Sequence, residues 1–319
     1  MQTALTEILR VEHPVMLAGM GGVSYSRLCA AVSEAGGFGC LGASTMGDEE
    51  MVAEIAAVRS LTDKPFGVDL LTAAPQDMPA KVQAIIDGGA SVFVAGLGVP
   101  REVVDQCHEQ DVIVVNMCGK VHHATAAVEA GCDLVVAQGT EAGGHTGRIA
   151  TLPLVPMIVD AVGSEVPVVA AGGVFDGRAL AAALTLGAAG VWVGTRFIAT
   201  PEARAVSGYK DRILGADETS TVVTRAYTGK TCRVINTDYA DSFERSGAKP
   251  EPFPAQFLKS LGDGANHLGG DETTAGVDPD KEFMPAGQAV GAISSLTPAG
   301  DIVRSMVAEA EQALAGALG

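Results

Sequence analysis

One histidine and three glycine-rich turns mark the places where this chain can do chemistry. In QGTEAGGHTG, Gln138 to Gly147, a single imidazole, His145, sits among small residues. Imidazole titrates near neutrality and its glycine neighbours leave room for a substrate, so His145 is the acid/base candidate. Two further turns, AAGGVFDG at Ala170–Gly177 and VGTRF at Val193–Phe197, each follow an apolar run. Backbone N–H groups of Gly172, Gly173, Gly194 and Thr195 can hold a phosphate there, and Arg196 adds one positive group. GMGG at Gly19–Gly22 lacks the full spacing of a dinucleotide fingerprint and reads as close backbone approach to a planar ligand. The other histidines carry less: His13 precedes an apolar run, His108 ends a helical segment, His122 and His123 start one, and His267 lies in an irregular stretch. No H-x-E, H-E-x-x-H or carboxylate cluster is present, so no metal is expected, and the absence of a nucleophile elbow argues against a hydrolase.

These residues need a frame. Apolar runs of strand length recur eight times, at Val15–Met20, Phe38–Gly42, Phe66–Leu71, Ser91–Gly96, Val112–Met117, Leu134–Gln138, Val168–Ala171 and Val191–Gly194. Helical periodicity fills the gaps, as in Arg27–Ala35, Glu49–Ser60, Met78–Asp87, His122–Ala130 and Arg178–Leu186. Near-continuous Val/Ile/Leu runs are the pattern of parallel strands covered on both faces. Eight βα units ending near Gly215 predict a (β/α)8 TIM barrel over a doubly wound open sheet. In a barrel the chemistry sits just past the strand C-termini: Met20–Gly22, Ala43–Ser44, Leu71–Thr72, Gly96–Leu97, Met117–Cys118, Gly139–His145, Gly172–Gly173 and Thr195–Arg196. A histidine in a loop is more often structural than catalytic, and this position at a strand end is what favours catalysis for His145. The expected division is a barrel over residues 1–220 and a C-terminal irregular and helical extension over 221–319. Within the latter, Asp241 to Glu282 reads as an irregular excursion, either a lid or a mobile surface loop. The tail Ile302–Leu318 lines up Val303, Val307, Ala310 and Leu314 on one helix face, which should pack back on the barrel.

The 319 residues are 47% hydrophobic and 18% charged, enough apolar surface for one large core. With 21 Lys and Arg against 38 Asp and Glu the formal charge is −17, which repels phosphate backbones and anionic lipid, so nucleic acid is not an expected partner. The N-terminus lacks a basic stretch followed by an apolar one, and the longest nearly apolar run, Leu180–Val193, is broken by Thr185 and Gly187, so no membrane association is expected. Six scattered cysteines without a C-x-x-C pair suit a reducing cytoplasm. The expected partner is a small-molecule substrate, and a homodimer is compatible with the sequence.

HPVMLAGMGGVS, SEAGGFGCLGA, DKPFGVDL, AQGTEAGGHTG, VPVVAAGGVFDG, GAAGVWVGTRF and MPAGQAVGAI together resemble the nitronate monooxygenase group, formerly the 2-nitropropane dioxygenases. That group also contains FMN-dependent enoyl-acyl-carrier-protein reductases and some NAD(P)H:quinone reductases. The resemblance implies FMN as cofactor, with Met20 and Gly21 against the isoalloxazine, Gln138 hydrogen-bonded to the flavin ring, and Gly172, Gly173, Gly194 and Thr195 on the phosphate. It makes His145 the active-site histidine and places Gln288 near the barrel mouth. Asp69 stands beside the flavin where the group usually has Asn in GVN; a carboxylate there disfavours anionic flavin forms unless it is protonated or turned away. Met117 replaces a lysine that some quinone-reductase members carry, which lowers that reading. The first expectation is therefore oxidation of alkyl nitronates with dioxygen. The alternative is reduction of an enoyl thioester with NAD(P)H as co-substrate. A phosphate-binding barrel lyase or isomerase without flavin ranks below both, and a colourless protein that takes up no FMN would favour it.

Overall fold

In the computed structural model the chain is described over residues 1–72, 77–96 and 98–317. Leu97 and Leu318, named above at a strand end and in the tail helix, lie outside the described residues. The strands are β1 (Val15–Leu17), β2 (Gly39–Gly42), β3 (Phe66–Leu71), β4 (Val92–Gly96), β5 (Ile113–Cys118), β6 (Leu134–Gln138), β7 (Gly144–His145), β8 (Val168–Ala171), β9 (Gly190–Val193), β10 (Thr221–Thr224) and β11 (Cys232–Ile235). The longer helices are α1 (Ala4–Leu9), α2 (Ser26–Glu34), α3 (Asp48–Leu61), α4 (Met78–Asp87), α5 (Arg101–His108), α6 (Val121–Glu129), α7 (Thr151–Val162) and α8 (Gly177–Thr185). They continue with α9 (Thr195–Ile198), α10 (Tyr209–Leu214), α11 (Asp238–Ser246), α12 (Ala255–Gly262) and α13 (Ala299–Ala317).

Eight parallel strands form one sheet in the order β1-β9-β8-β6-β5-β4-β3-β2. A parallel bridge, Met16 to Phe38, closes β1 onto the start of β2: Phe38 N–H donates to Val15 O at 2.9 Å and Leu17 N–H to Phe38 O at 2.8 Å. The expected (β/α)8 barrel is what the chain forms. Strand alternation sorts side chains into two cores. Inward-facing Met16, Phe38, Val94, Val115, Val136, Val169 and Trp192 fill the barrel, and Leu5 and Leu9 of α1 plug its lower end. Outward-facing residues such as Leu17, Val68, Ala95, Val114 and Val191 pack beneath the helices. Helix starts are set locally: Asp77 caps α4, Asp176 caps α8 and Thr237 caps α11.

The tail behaves as its periodicity predicts, with Val303, Val307 and Ala310 buried. Glu309 on α13 accepts from the first N–H of α8, Gly177, at 2.9 Å. The stretch 241–282 is more ordered than its sequence suggests. α11 ends and α12 lies within it, and Phe253, Phe257 and Leu268 line the cavity over the barrel mouth. The helix signal was weak because DYADSFERS offers only a short apolar face, Tyr239, Ala240 and Phe243, among charged and polar neighbours. No helix among the described residues is long and apolar enough to cross a membrane.

Candidate active site

The strand C-termini open into one cavity of about 1060 Å³. It is lined by nine of the ten residues singled out from the sequence: Met20, Gly21, Asp69, Gln138, His145, Gly172, Gly173, Gly194 and Thr195. Gln288 is the exception. Its side chain is exposed, and its backbone N–H donates to Glu141 O at 2.9 Å. The AGQ segment instead contributes Gly287, which lines the cavity and donates its N–H to Thr195 Oγ1 at 2.9 Å. A Cβ at Gly287 would meet Glu141 O at 2.7 Å, so glycine is what lets this segment close on the loop after β6.

The turn after β8 has the shape of an anion cradle. Gly172 and Gly173 have φ of 100° and 76°, a left-handed conformation that glycine adopts without strain. Among the described residues no backbone carbonyl or side chain accepts from the N–H groups of Gly172, Gly173 or Gly194. Uncommitted donors converging from two adjacent strand ends match a phosphate. Arg196 does not join them: its guanidinium donates to Ser295 O at 3.1 Å and Thr297 Oγ1 at 2.7 Å, tying down the segment before α13.

The floor is set by Gly19 and Asp69. A Cβ at Gly19 would lie 2.2 Å from that of Asp69, so the loop after β1 packs directly on this carboxyl. Burial alone pushes the Asp69 pKa up to about 8. At neutral pH the group is a neutral acid able to donate a hydrogen bond.

His145 is held from the far end of the chain. β7 pairs antiparallel with β11, His145 opposite Cys232 and Gly144 opposite Arg233. The imidazole Nε2 lies 3.0 Å from Thr228 Oγ1 and the ring meets Phe253 edge-on at 6.3 Å. Gln138 donates from Nε2 to His145 O at 2.7 Å, so its amide braces the histidine loop. Burial first, then the charge of Lys230, pulls the His145 pKa down to about 4, leaving the neutral, proton-accepting form at working pH. Thr228, Lys230, Phe253 and Lys120 also line the cavity and were not singled out from the sequence, and His123, set aside there as a helix-start residue, lines it too. The first three belong to no motif: Thr228 and Lys230 lie on the turn leading into β11, and Phe253 on the segment between α11 and α12 that packs on Gly229.

The sequence and the fold both have counterparts in known proteins. The model of the family described as nitronate monooxygenase matches residues 2–309. The chain belongs to that family. A curated relative from Rhodococcus jostii, (3aS,4S,5R,7aS)-5-hydroxy-7a-methyl-1-oxo-octahydro-1H-indene-4-carboxyl-CoA dehydrogenase, is 42% identical over 77% of this chain and 69% of its own length. The solved structure of FabK from Thermotoga maritima superimposes with a TM-score of 0.90, 32% identity, and coverage of 100% of this chain and 99% of that one. Nitroalkane oxidase from Streptomyces ansochromogenes superimposes with a TM-score of 0.85 and 29% identity, covering 99% and 100%. Like the other members of the nitronate monooxygenase family, the chain is an oxidoreductase.

Proposed function

We propose that the chain is an FMN-dependent nitronate monooxygenase whose proton-handling residue is His145. The observation that carries this reading is a neutral imidazole in the same cavity as an uncommitted glycine N–H cradle. Gly172, Gly173, Gly194 and Thr195 would hold the FMN phosphate, with Met20, Gly21, Asp69 and Gln138 about the ring. When bound, FMN supplies an electron acceptor that reoxidises with dioxygen. The protein's part is to bind, orient and move a proton. The Thr228 hydroxyl donates to Lys230 O at 3.2 Å, which leaves Thr228 Oγ1 to accept from His145 Nε2–H. The free lone pair is then on Nδ1, which takes the α-proton of a neutral nitroalkane. A substrate already in nitronate form needs no such transfer, and His145 serves to orient it. We divide the chain into a barrel, residues 1–220, and an extension, 221–319, that completes the site through Thr228, Lys230 and Phe253.

A second reading, reduction of an enoyl thioester with NAD(P)H, is favoured by the cavity volume, at the upper end of ligand sites of ~300–1,000 Å³. The FabK likeness points the same way. Anaerobic stopped-flow absorbance of the FMN-loaded protein separates the two. Bleaching by propane-2-nitronate but not by NAD(P)H supports the monooxygenase; bleaching by NAD(P)H alone supports the reductase; failure to take up FMN removes both.

A further inference from the structure

The chain carries 38 acids against 21 Lys and Arg, yet its cavity reverses that balance. Lys120, His123, His145, Arg196, Arg225 and Lys230 line it against one carboxyl, Asp69, which burial keeps protonated at neutral pH. Arg196 is occupied by Ser295 and Thr297. Among the described residues no carboxylate is within ion-pair distance of Lys120, Arg225 or Lys230, and of these three Lys230 is the one that shares an aromatic neighbour with His145. Its Nζ rests 4.7 Å from the Phe253 ring centroid, and the same ring meets His145 edge-on. Thr228 couples the two residues, since its Oγ1 takes the Lys230 backbone N–H at 3.3 Å and lies 3.0 Å from His145 Nε2. Thr228 thus ties the Lys230 backbone to the imidazole, while the ammonium and the imidazole both rest on the Phe253 ring. A half-buried ammonium without a counter-charge is free to form a charge-assisted hydrogen bond with an anion that reaches it.

We propose that Lys230 is the anion-selecting residue of the active site, binding the negatively charged group of the substrate beside His145. The proposal rests on the oxidoreductase reading of this cavity and assigns the group that recognises a planar oxyanion such as a nitronate. It also couples binding to proton transfer. The Lys230 charge disfavours protonation of His145, and an anion on Lys230 offsets that charge, so bound substrate makes the imidazole a better proton acceptor. The other groups around the pair are the high-pKa Cys232 thiol on β11, Arg225 on the loop between β10 and β11, and Lys120 and His123 at the start of α6, none of them an anion at neutral pH.

The test uses FMN-loaded protein, Lys230→Met, Lys230→Arg, and nitrate as a planar monoanionic probe, with the His145 imidazole followed by nitrogen-15 NMR. Nitrate should saturate a shift of His145 in the wild type, bind roughly tenfold to a hundredfold more weakly to K230M, and regain most of its affinity in K230R. In turnover, K230M should raise KM for a nitronate far more than for its neutral nitroalkane, and move the His145 limb of the pH profile upward. Nitrate binding that leaves His145 unmoved in the wild type, or is equal in K230M, overturns the proposal. So does a uniform fall in kcat with KM and pH profile unchanged. A wild type that binds nitrate at Lys230 yet oxidises no nitronate upholds this assignment and contradicts the monooxygenase reading alone.

Discussion

His145 Nε2 and Thr228 Oγ1 meet at 3.0 Å across 83 residues of sequence, joining the loop after β6 to the extension. The contact fixes which ring nitrogen faces the cavity. Replacing Thr228 with Val keeps the volume but removes the hydroxyl, leaving the imidazole free to rotate and change tautomer. We expect kcat with neutral nitroalkanes to fall by roughly tenfold, from loss of one oriented hydrogen bond of ~1 kcal/mol or more. T228S should restore most of the activity, and equal activity of T228V and wild type would sever this link.

Asp69 makes a pH prediction of definite sign. Its folded pKa is raised to about 8 from an ordinary value of 3.8, so between these the folded state binds the extra proton. Stability from this group therefore falls as pH rises from about 4 to 8. Asp69→Asn removes the dependence. The Tm of the variant should exceed that of the wild type by several degrees at pH 8.5 and by little at pH 4.5. A pH-independent difference would show that Asp69 does not ionise as described.

His145 acts oppositely. Its folded pKa is lowered to about 4 from 6.5, so the unfolded chain binds the extra proton between those values and stability rises with pH across that window. His145→Ala should flatten the acid limb of a Tm profile between pH 4 and 6.5 relative to wild type. An unchanged acid limb would contradict a neutral buried imidazole.

Gly173 has φ of 76° in the proposed phosphate cradle, with its nearest Cβ neighbour at 3.6 Å. Gly173→Val has room for its first carbon but strains the backbone by roughly 1–2 kcal/mol and covers the cradle. FMN should be lost with the far-ultraviolet circular dichroism unchanged. FMN retained at full occupancy would place the phosphate elsewhere.

Much of this site was legible because its signals are local. The runs Phe66–Leu71, Leu134–Gln138 and Val168–Ala171 are strands with the bounds read from sequence, since buried parallel strands are written as unbroken apolar runs. Gly172, Gly173 and His145 were legible because a strand end followed by glycine is a local pattern that a barrel turns into a site. Lys230 and Phe253 were not. Lys230 is placed by β11, which pairs with β7, a two-residue strand that no periodicity announces, and Phe253 by a segment between α11 and α12 that packs on Gly229. Gln288 stands beside the cavity rather than in its lining: within its AGQ motif the glycine next to it touches Thr195 and the Glu141 loop.

The most direct test compares wild type and His145→Ala, both FMN-loaded, in anaerobic reduction by a neutral nitroalkane and by its preformed nitronate. The account predicts a loss of roughly 10²–10⁴-fold with the nitroalkane, the size of a general-base contribution, and a much smaller loss with the nitronate. Equal losses with both substrates, or none with either, would contradict His145 as the residue that takes the proton.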